Sequence, residues 1–340
     1  MSDGMPYRLS ICIPTLNRAN YIGETLQSII SQWEEGVEIV IVDGGSIDDT
    51  ERVVRSFQQN LPHIRYIKAD HSETKPSNQG FDRDCDHAVV LAKGEHCWLM
   101  TDDDLIWPGA LRKVMAAATE GHDLIVANAE VRNVDFKEVL VRKRLTLPQD
   151  TVYKATDWNE FARAVGSHLT FVGAVIIRRS VWISRDREKY FGSGFVHVGV
   201  IFDQPIRGTI LATEVPLVSI RFGNAQWTSR AFQIWLINWP ELIWSFKSLS
   251  DQAKSGISAR EPWRSLKTLL FNRAMGMYSA HEYTAFVAPR PNTAAWHAMA
   301  RVIAVIPRVL LYVPVWLYIR TKLPNRTYVL FNLKESWKKK

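Results

Sequence analysis

With 340 residues, 46% of them hydrophobic, the chain can hold one large domain or two smaller ones, and disorder of the whole chain is excluded. Lysine and arginine exceed aspartate and glutamate by 42 to 35, a net charge of +7 and a pI near 9.3, which suits phosphorylated small molecules, anionic lipid and nucleic acid alike. Cys12, Cys85 and Cys97 lack metal-ligand spacing and read as reduced packing residues in a cytosolic environment, and MSDGMPYRLS carries no apolar segment of signal-peptide length, which argues against secretion.

Residues 9–14 (LSICIP) are a continuous apolar run with β-branched side chains, ended by proline, and predict a buried strand. After the loop 15–18 (TLNR), Tyr21, Ile22, Thr25, Leu26, Ile29 and Ile30 follow a helical spacing. Residues 37–42 (VEIVIV) form the next strand and run into 43–50 (DGGSIDDT), whose glycines permit tight backbone geometry and whose polar groups cap a following helix. Val53, Val54 and Phe57 supply the apolar face of that helix, and 64–67 make a third strand. This alternation is the signature of a parallel sheet wrapped by helices, in which ligands bind beyond the carboxyl ends of the strands.

A glycine-bearing loop at 78–83 (NQGFDR) and a helical stretch at 88–92 lead to 97–111 (CWLMTDDDLIWPGAL). There an apolar run ends in Asp102, Asp103 and Asp104, and Pro108 opens a helical pattern through Leu111, Val114 and Met115. Three adjacent like charges repel, so a buried strand that delivers them to its end calls for a neutralising cation; Mg²⁺ and Mn²⁺ suit such oxygen ligands. A solvated turn before a helix N-terminus accounts for the same three residues.

Past Glu130 the parallel rhythm weakens: 139–147 alternate loosely with basic residues, 157–165 have helical spacing, 173–177 (GAVII) predict a buried strand and 181–190 a charged helix. Residues 191–199 (FGSGFVHVG) are glycine-rich with a single histidine. From Ala225 onward Trp227, Trp235, Trp239, Trp244 and Trp263 lie on helical patterns, as in the core of a helical subdomain. Residues 296–319 are the most apolar stretch, interrupted by Arg301 and Arg308 and divided by Pro307 and Pro314. They predict a pair of short amphipathic helices at a membrane interface, with Arg320, Lys322, Arg326 and Lys338, Lys339 and Lys340 available to anionic lipid; a buried core helix is the alternative. The basic residues are dispersed and accompany no recognised nucleic-acid motif, so no nucleic-acid partner is expected.

The segments SICIPTLNR, VEIVIVDGGSIDDT, NQGFDRD and AKGEHCWLMTDDDLIWPGAL, in that order, closely resemble a family 2 glycosyltransferase with the GT-A fold, and the pairing of FDRD with CW looks most like the abequosyltransferase-type enzymes of bacterial O-antigen assembly. The resemblance implies an α/β, Rossmann-like, mostly parallel sheet flanked by helices over 1–224, with a donor half to about 128 and an acceptor half to about 224. A helical extension would follow over 225–340, with a membrane-associating segment at about 296–320 and a basic tail. It further implies a nucleotide-diphosphate sugar donor and a divalent metal, Mn²⁺ or Mg²⁺, bridging the diphosphate. Carried over by position, Pro14, Thr15, Asn17 and Arg18 approach the donor nucleotide, Asp43 contacts its base, and Arg83 meets diphosphate or ribose. Asp103 falls on the metal-ligand carboxylate with Asp104 beside it; Thr101 takes the place of the usual first acid, and Asp102 shares the ribose role.

An inverting transfer needs a base for the acceptor hydroxyl. The acidic motif that usually supplies it is absent from FGSGFVHVGVIFDQP, so His197 is the expected base, with Asp203 the nearest carboxylate. The expected activity is transfer of a hexosyl or deoxyhexosyl group to a lipid-linked saccharide, at the inner face of the cell membrane. The alternative is a degenerate GT-A scaffold or binding subunit of a polysaccharide assembly complex.

Overall fold

The first apolar run forms strand β1 (Tyr7–Thr15), which lies between β2 (Val37–Asp43) and β4 (Gly94–Leu99), parallel to both; β3 (Ile64–Lys68) extends the parallel set beyond β2. The computed structural model describes residues 7–69, 80–323 and 326–338, so Asn78, Gln79, Lys339 and Lys340 lie outside the described residues. β1 from Leu9 onward and all of β2 are buried on both faces, which is why they read as nearly continuous hydrophobic runs, interrupted by Ser10 and Glu38. The connecting helices supply the cover: α1 (Ile22–Ile30) buries Ile22, Leu26 and Ile29, α2 (Thr50–Gln58) buries Val54, and α3 (Phe81–Leu91) buries Cys85, Ala88 and Val89.

Beyond β4 the sheet continues through β5 (Leu105–Ile106), β6 (Leu124–Asn133), β7 (Val139–Val141), β8 (Thr151–Tyr153), β9 (Val175–Arg178) and β10 (Ile210–Phe222). The strand order is β3-β2-β1-β4-β9-β6-β10-β5. β9 runs antiparallel to β4 and β6, and β10 antiparallel to β5 and β8, so the parallel rhythm weakens where the pairing changes sense. The helix after the acids, α4 (Ala110–Thr119), begins two residues past Pro108, because Gly109 takes a φ of +80° just before it. α5 (Trp158–Val165) stands where its spacing predicts it. The charged stretch 181–190 is not one helix: α6 (Arg179–Ile183) ends, and a separate 3₁₀ turn covers Glu188–Tyr190. The glycine-rich 191–199 stretch becomes a buried helix, α7 (Val196–Phe202), from its sixth residue on.

β1 and β4 approach so closely that only glycine fits at the start of β4. A Cβ on Gly94 would lie 2.6 Å from Ser10 Oγ and 2.7 Å from its backbone nitrogen. Ser10 Oγ accepts from Gly94 N at 2.8 Å and donates to the buried Glu38 carboxylate at 2.7 Å, which also accepts from Lys93 N at 2.6 Å.

Three buried histidines tie separate segments together through their Nε2 atoms: His96 to the carbonyl of His122, His168 to that of Ala127, and His197 to that of Leu169, each at 2.8 Å. Nε2–H donates in each pair, so Nδ1 is the unprotonated nitrogen, and it is buried without a partner. His197 is 1% exposed, and burial pushes its pKa down to about 4. The expectation that His197 is the base is therefore corrected: the ring is a structural pin that an acceptor hydroxyl does not reach.

The described residues divide into two compact units, the first within Met1–Val131, Arg142–Arg221 and Phe246–Ala253, the second within Arg132–Val141, Phe222–Ser245 and Lys254–Lys340. Helices continue the chain at Ala231–Gln233 (α8), Trp239–Ser245 (α9), Asp251–Ile257 (α10), Leu266–Ala274 (α11), Ala280–Glu282 (α12), Ala294–Val305 (α13), Arg308–Lys322 (α14) and Arg326–Lys338 (α15). In the second unit Trp263 meets Trp296 edge-on at 5.8 Å and Phe232 stacks on Tyr278 at 5.1 Å, inside one apolar core; Leu311, Val315, Ile319 and Leu333 build another. Trp239 and Trp263 are buried as the helical pattern predicts, whereas Trp227 is 39% exposed.

Gly94→Ala is expected to lower unfolding free energy by about 1–3 kcal/mol, because backbone stands in the way of the new methyl; an unchanged urea midpoint would contradict the close approach. The histidines also set an acid dependence. An unfolded imidazole titrates near 6.5, above the folded values of about 4 for His197 and about 3 for His168, so in that window the unfolded chain binds more protons. The histidines' own contribution to stability is full above about pH 6.5 and is lost as pH drops toward 4, His197 accounting for about 3 kcal/mol of that loss. His197→Gln, which keeps a donor for the Leu169 carbonyl, removes this component, so its unfolding free energy relative to wild type, measured by urea unfolding at several pH values, should rise as pH falls from 6.5 to 4.

Candidate active site

The loops after β1, β2 and β4 are laced together by their own polar groups. Gly44 N donates to Thr15 O at 2.9 Å, Asn17 N to Ser46 Oγ at 2.8 Å, Ile47 N to Asn17 Oδ1 at 2.9 Å and Arg18 N to Thr50 Oγ1 at 2.8 Å. Asn17 can serve in both directions because it adopts a left-handed φ of +55°, which asparagine tolerates. Pro14 and Thr15 sit level with Val42 and Asp43 at the ends of their strands. Asp43 is fully buried; its Oδ1 accepts from Gly45 N at 2.9 Å and Ser46 N at 2.7 Å, and its Oδ2 accepts from the Tyr66 hydroxyl. This carboxylate shapes the DGGS turn that faces the first loop.

The three acids follow β4. Arg18 reaches across from the first loop, its Nε 3.3 Å from Asp102 Oδ1 and its Nη2 3.5 Å from Asp103 Oδ2. Burial, with the charge of Asp103, pushes the Asp102 pKa up to about 7 against the opposing pull of Arg18. Asp104 has a different role. Its Oδ1 accepts from Arg221 N at 2.6 Å, its Oδ2 from the Thr101 hydroxyl, and its carbonyl from Thr25 Oγ1 at 2.9 Å. Burial and Asp103 push its pKa well above the carboxylate range. Each Asp104 oxygen thus holds the fold, which leaves Asp103 the more open carboxylate for a metal.

Arg221, at the end of β10, holds the same loop and carries no motif. Its Nε donates to Asp103 O at 2.8 Å and its Nη2 to Glu24 Oε2 at 2.6 Å, and its guanidinium lies 4.9 Å from the Tyr21 ring centroid. Arg18 lies 5.7 Å from the same ring. An arginine beside the apolar residues of VSIRF, near the end of a strand, is the one sequence signal that could have found it.

The first turn of α3 grips the glycine-rich loop. Asp82 accepts from Gly194 N at 2.8 Å and Val196 N at 2.9 Å, while exposed Arg83 stacks its guanidinium 4.7 Å from the Phe191 ring centroid. Asp84, which sequence reasoning passed over, is buried in the same turn; burial and the charge of Asp43 push its pKa up to about 6. Asp203 lies at the other end of α7, accepting from Lys189 Nζ at 2.5 Å and Tyr190 OH at 2.9 Å. Partial burial pushes its pKa up, but these bonds outweigh it and leave it lowered. Asp203 is an ion-paired anion, held by Lys189 and Tyr190.

The acids fit a hard divalent cation in one way. Among the described residues no group of three or more His, Cys, Asp and Glu side chains is placed to hold a metal. Asp102 and Asp103 are adjacent carboxylates with 11% and 13% exposed side chains. One or two carboxylates, with phosphate oxygens and water completing the shell, is the usual arrangement for Mg²⁺ at phosphorylated substrates.

Residues 10–178 match the sequence family described as glycosyl transferase family 2. The abequosyltransferase RfbV of Salmonella typhimurium is 26% identical over 230 residues, covering 64% of this chain and 67% of that protein. The GalNAc(5)-diNAcBac-PP-undecaprenol β-1,3-glucosyltransferase of Campylobacter jejuni is 32% identical over 124 residues, covering 36% of this chain and 38% of its own length. Among solved structures, S. aureus TarS 1–349 superposes with a TM-score of 0.53 at 15% identity, over 97% of this chain and 89% of that one. The same fragment in complex with UDP-GlcNAc gives 0.51. Through its domain at residues 10–178, the chain belongs to glycosyltransferase family 2, and its α/β sheet has the GT-A fold.

Proposed function

We propose that this glycosyltransferase moves a hexosyl or deoxyhexosyl group from a nucleotide-diphosphate sugar to a lipid-linked saccharide in bacterial surface polysaccharide synthesis, with inversion. The observation that carries the reading is the Arg18 guanidinium set against Asp102 and Asp103 beyond the ends of β1, β2 and β4. Acids and a guanidinium side by side suit a metal–diphosphate pair: the carboxylates face the cation and the guanidinium faces phosphate oxygen. The relatives support the class of reaction, and TarS has been crystallised with UDP and with UDP-GlcNAc.

In this reading Asp103, with Asp102 beside it, would hold Mn²⁺ or Mg²⁺, which when bound stabilises charge on the departing diphosphate. Asn17 faces the nucleotide from the first loop, and Pro14, Thr15 and Asp43 support that surface from beneath, Asp43 by holding the DGGS turn in shape. Arg221 keeps the acidic loop's backbone in place, and Arg83 lines the side toward Phe191.

Titration calorimetry with UDP, GDP, CDP and TDP, with and without Mn²⁺, tests the donor half. One nucleotide should bind with strong metal dependence, and Asp103→Asn should lose that dependence with at least a tenfold weaker affinity. Arg18→Ala should weaken the same nucleotide by about tenfold, the scale of one charge-assisted bond. Binding without turnover on any acceptor would favour a scaffold subunit, and no binding of any nucleotide would overturn the donor site.

A further inference from the structure

Helix α14 is apolar on every side yet covered on only one. Between Arg308 and Arg320 the sequence VLLYVPVWLYI holds no charged residue. Leu311, Val315 and Ile319 form the buried face, packed with Met275 and Leu333. The opposite stripe is open: Leu310 is 65% exposed, Val313 61% and Leu317 49%. Helix α13 repeats the arrangement, with Ile303 and Ala304 buried and Met299, Val302 and Val305 exposed, and the exposed run continues through the corner to Val309, 67% exposed. A water-facing helix surface is ordinarily polar, and an apolar stripe of this length marks an interaction surface.

The charges beside it name the partner. From Tyr283 to Lys334 the chain has seven lysines and arginines and no aspartate or glutamate. Arg301, Arg320 and Lys322 are exposed on the two helices themselves. The Arg320 guanidinium lies 5.0 Å from the centroid of the half-buried Trp316, and Lys267 Nζ 4.5 Å from that of Tyr318, the aromatic-plus-cation pairing found where a helix lies at headgroup level. Among the described residues no single helix is long and apolar enough to cross a bilayer, and the α13–α14 pair is bent by 99°.

We propose that the α13–α14 corner is a monotopic docking surface for an anionic lipid bilayer, with Met299, Val302, Val309, Leu310, Val313 and Leu317 entering the acyl boundary and Arg301, Arg320 and Lys322 meeting lipid phosphates. This deepens the reading of a lipid-borne acceptor by naming the surface that brings the chain to it. The two are tested separately.

Full-length protein is floated with phosphatidylcholine vesicles and with vesicles containing phosphatidylglycerol, beside the double variant Leu310→Ser, Leu317→Ser, whose sites are exposed and leave the cores intact. Retention is expected on the phosphatidylglycerol vesicles and should fall by at least about tenfold in the double variant. Equal retention of both proteins, equal retention on both vesicles, or none of either would overturn the proposal. So would self-association of the wild type, lost in the variant, without vesicle retention, which would assign the stripe to a second copy. Nucleotide titration of the same samples separates the two ideas: retention without nucleotide binding leaves the docking surface and removes the donor site, and the converse removes the docking surface alone.

Discussion

Like charges do not gather at the end of a buried strand unless something opposes their repulsion, and here the opposition comes from arginine. Arg18 reaches Asp102 and Asp103 from the loop after β1, and Arg221 reaches the carbonyl of Asp103 and, through its amide, the carboxylate of Asp104 from the end of β10. The parallel half of the sheet contributes one guanidinium and its far strand the other. Both also lie beside the ring of Tyr21, so helix α1 is held in the same arrangement by its preceding turn and by Glu24. The three acids thereby divide their labour: Asp104 is spent on architecture, while Asp102 and Asp103 are left at a rim with a cation of the protein's own as neighbour.

That division explains why the loops need so many polar residues. A donor site at strand ends must present backbone that is neither helical nor laddered, and each exposed amide there needs a partner. Asn17, Ser46, Asp48 and Thr50 provide those partners from one loop to the other, and Asp43 provides them within its own turn. Much of what looks like ligand-binding chemistry in TLNR and DGGSIDDT is thus loop-to-loop bonding that shapes the surface a nucleotide would meet.

The legible part of this molecule was the part whose physics is local. Residues 9–14 and 37–42 read as strands because burial on both faces favours nearly continuous apolar runs, and the acids stood out because three carboxylates after CWLMT have few structural uses. Arg221 was invisible because its partners lie 117 and 118 residues away, at Asp104 and Asp103, and at Glu24 still further off. His197 was misread for the opposite reason. Beside glycines it looks loop-borne and accessible, but Asp82 bonds the amides of Gly194 and Val196 and starts a helix there, which carries the imidazole inward to the Leu169 carbonyl. Burial of a single polar side chain is set by distant segments, and no periodicity announces it.

In the proposed reaction Asp103 and its neighbours would hold a divalent cation against the diphosphate of a nucleotide. The most direct measurement is the paramagnetic effect of Mn²⁺ on the ³¹P resonances of the nucleoside diphosphate that binds. Strong broadening of both phosphate signals is expected in the wild-type protein, and its loss in Asp103→Asn at saturating nucleotide. Bound nucleotide whose phosphate signals are broadened equally in both proteins would contradict it.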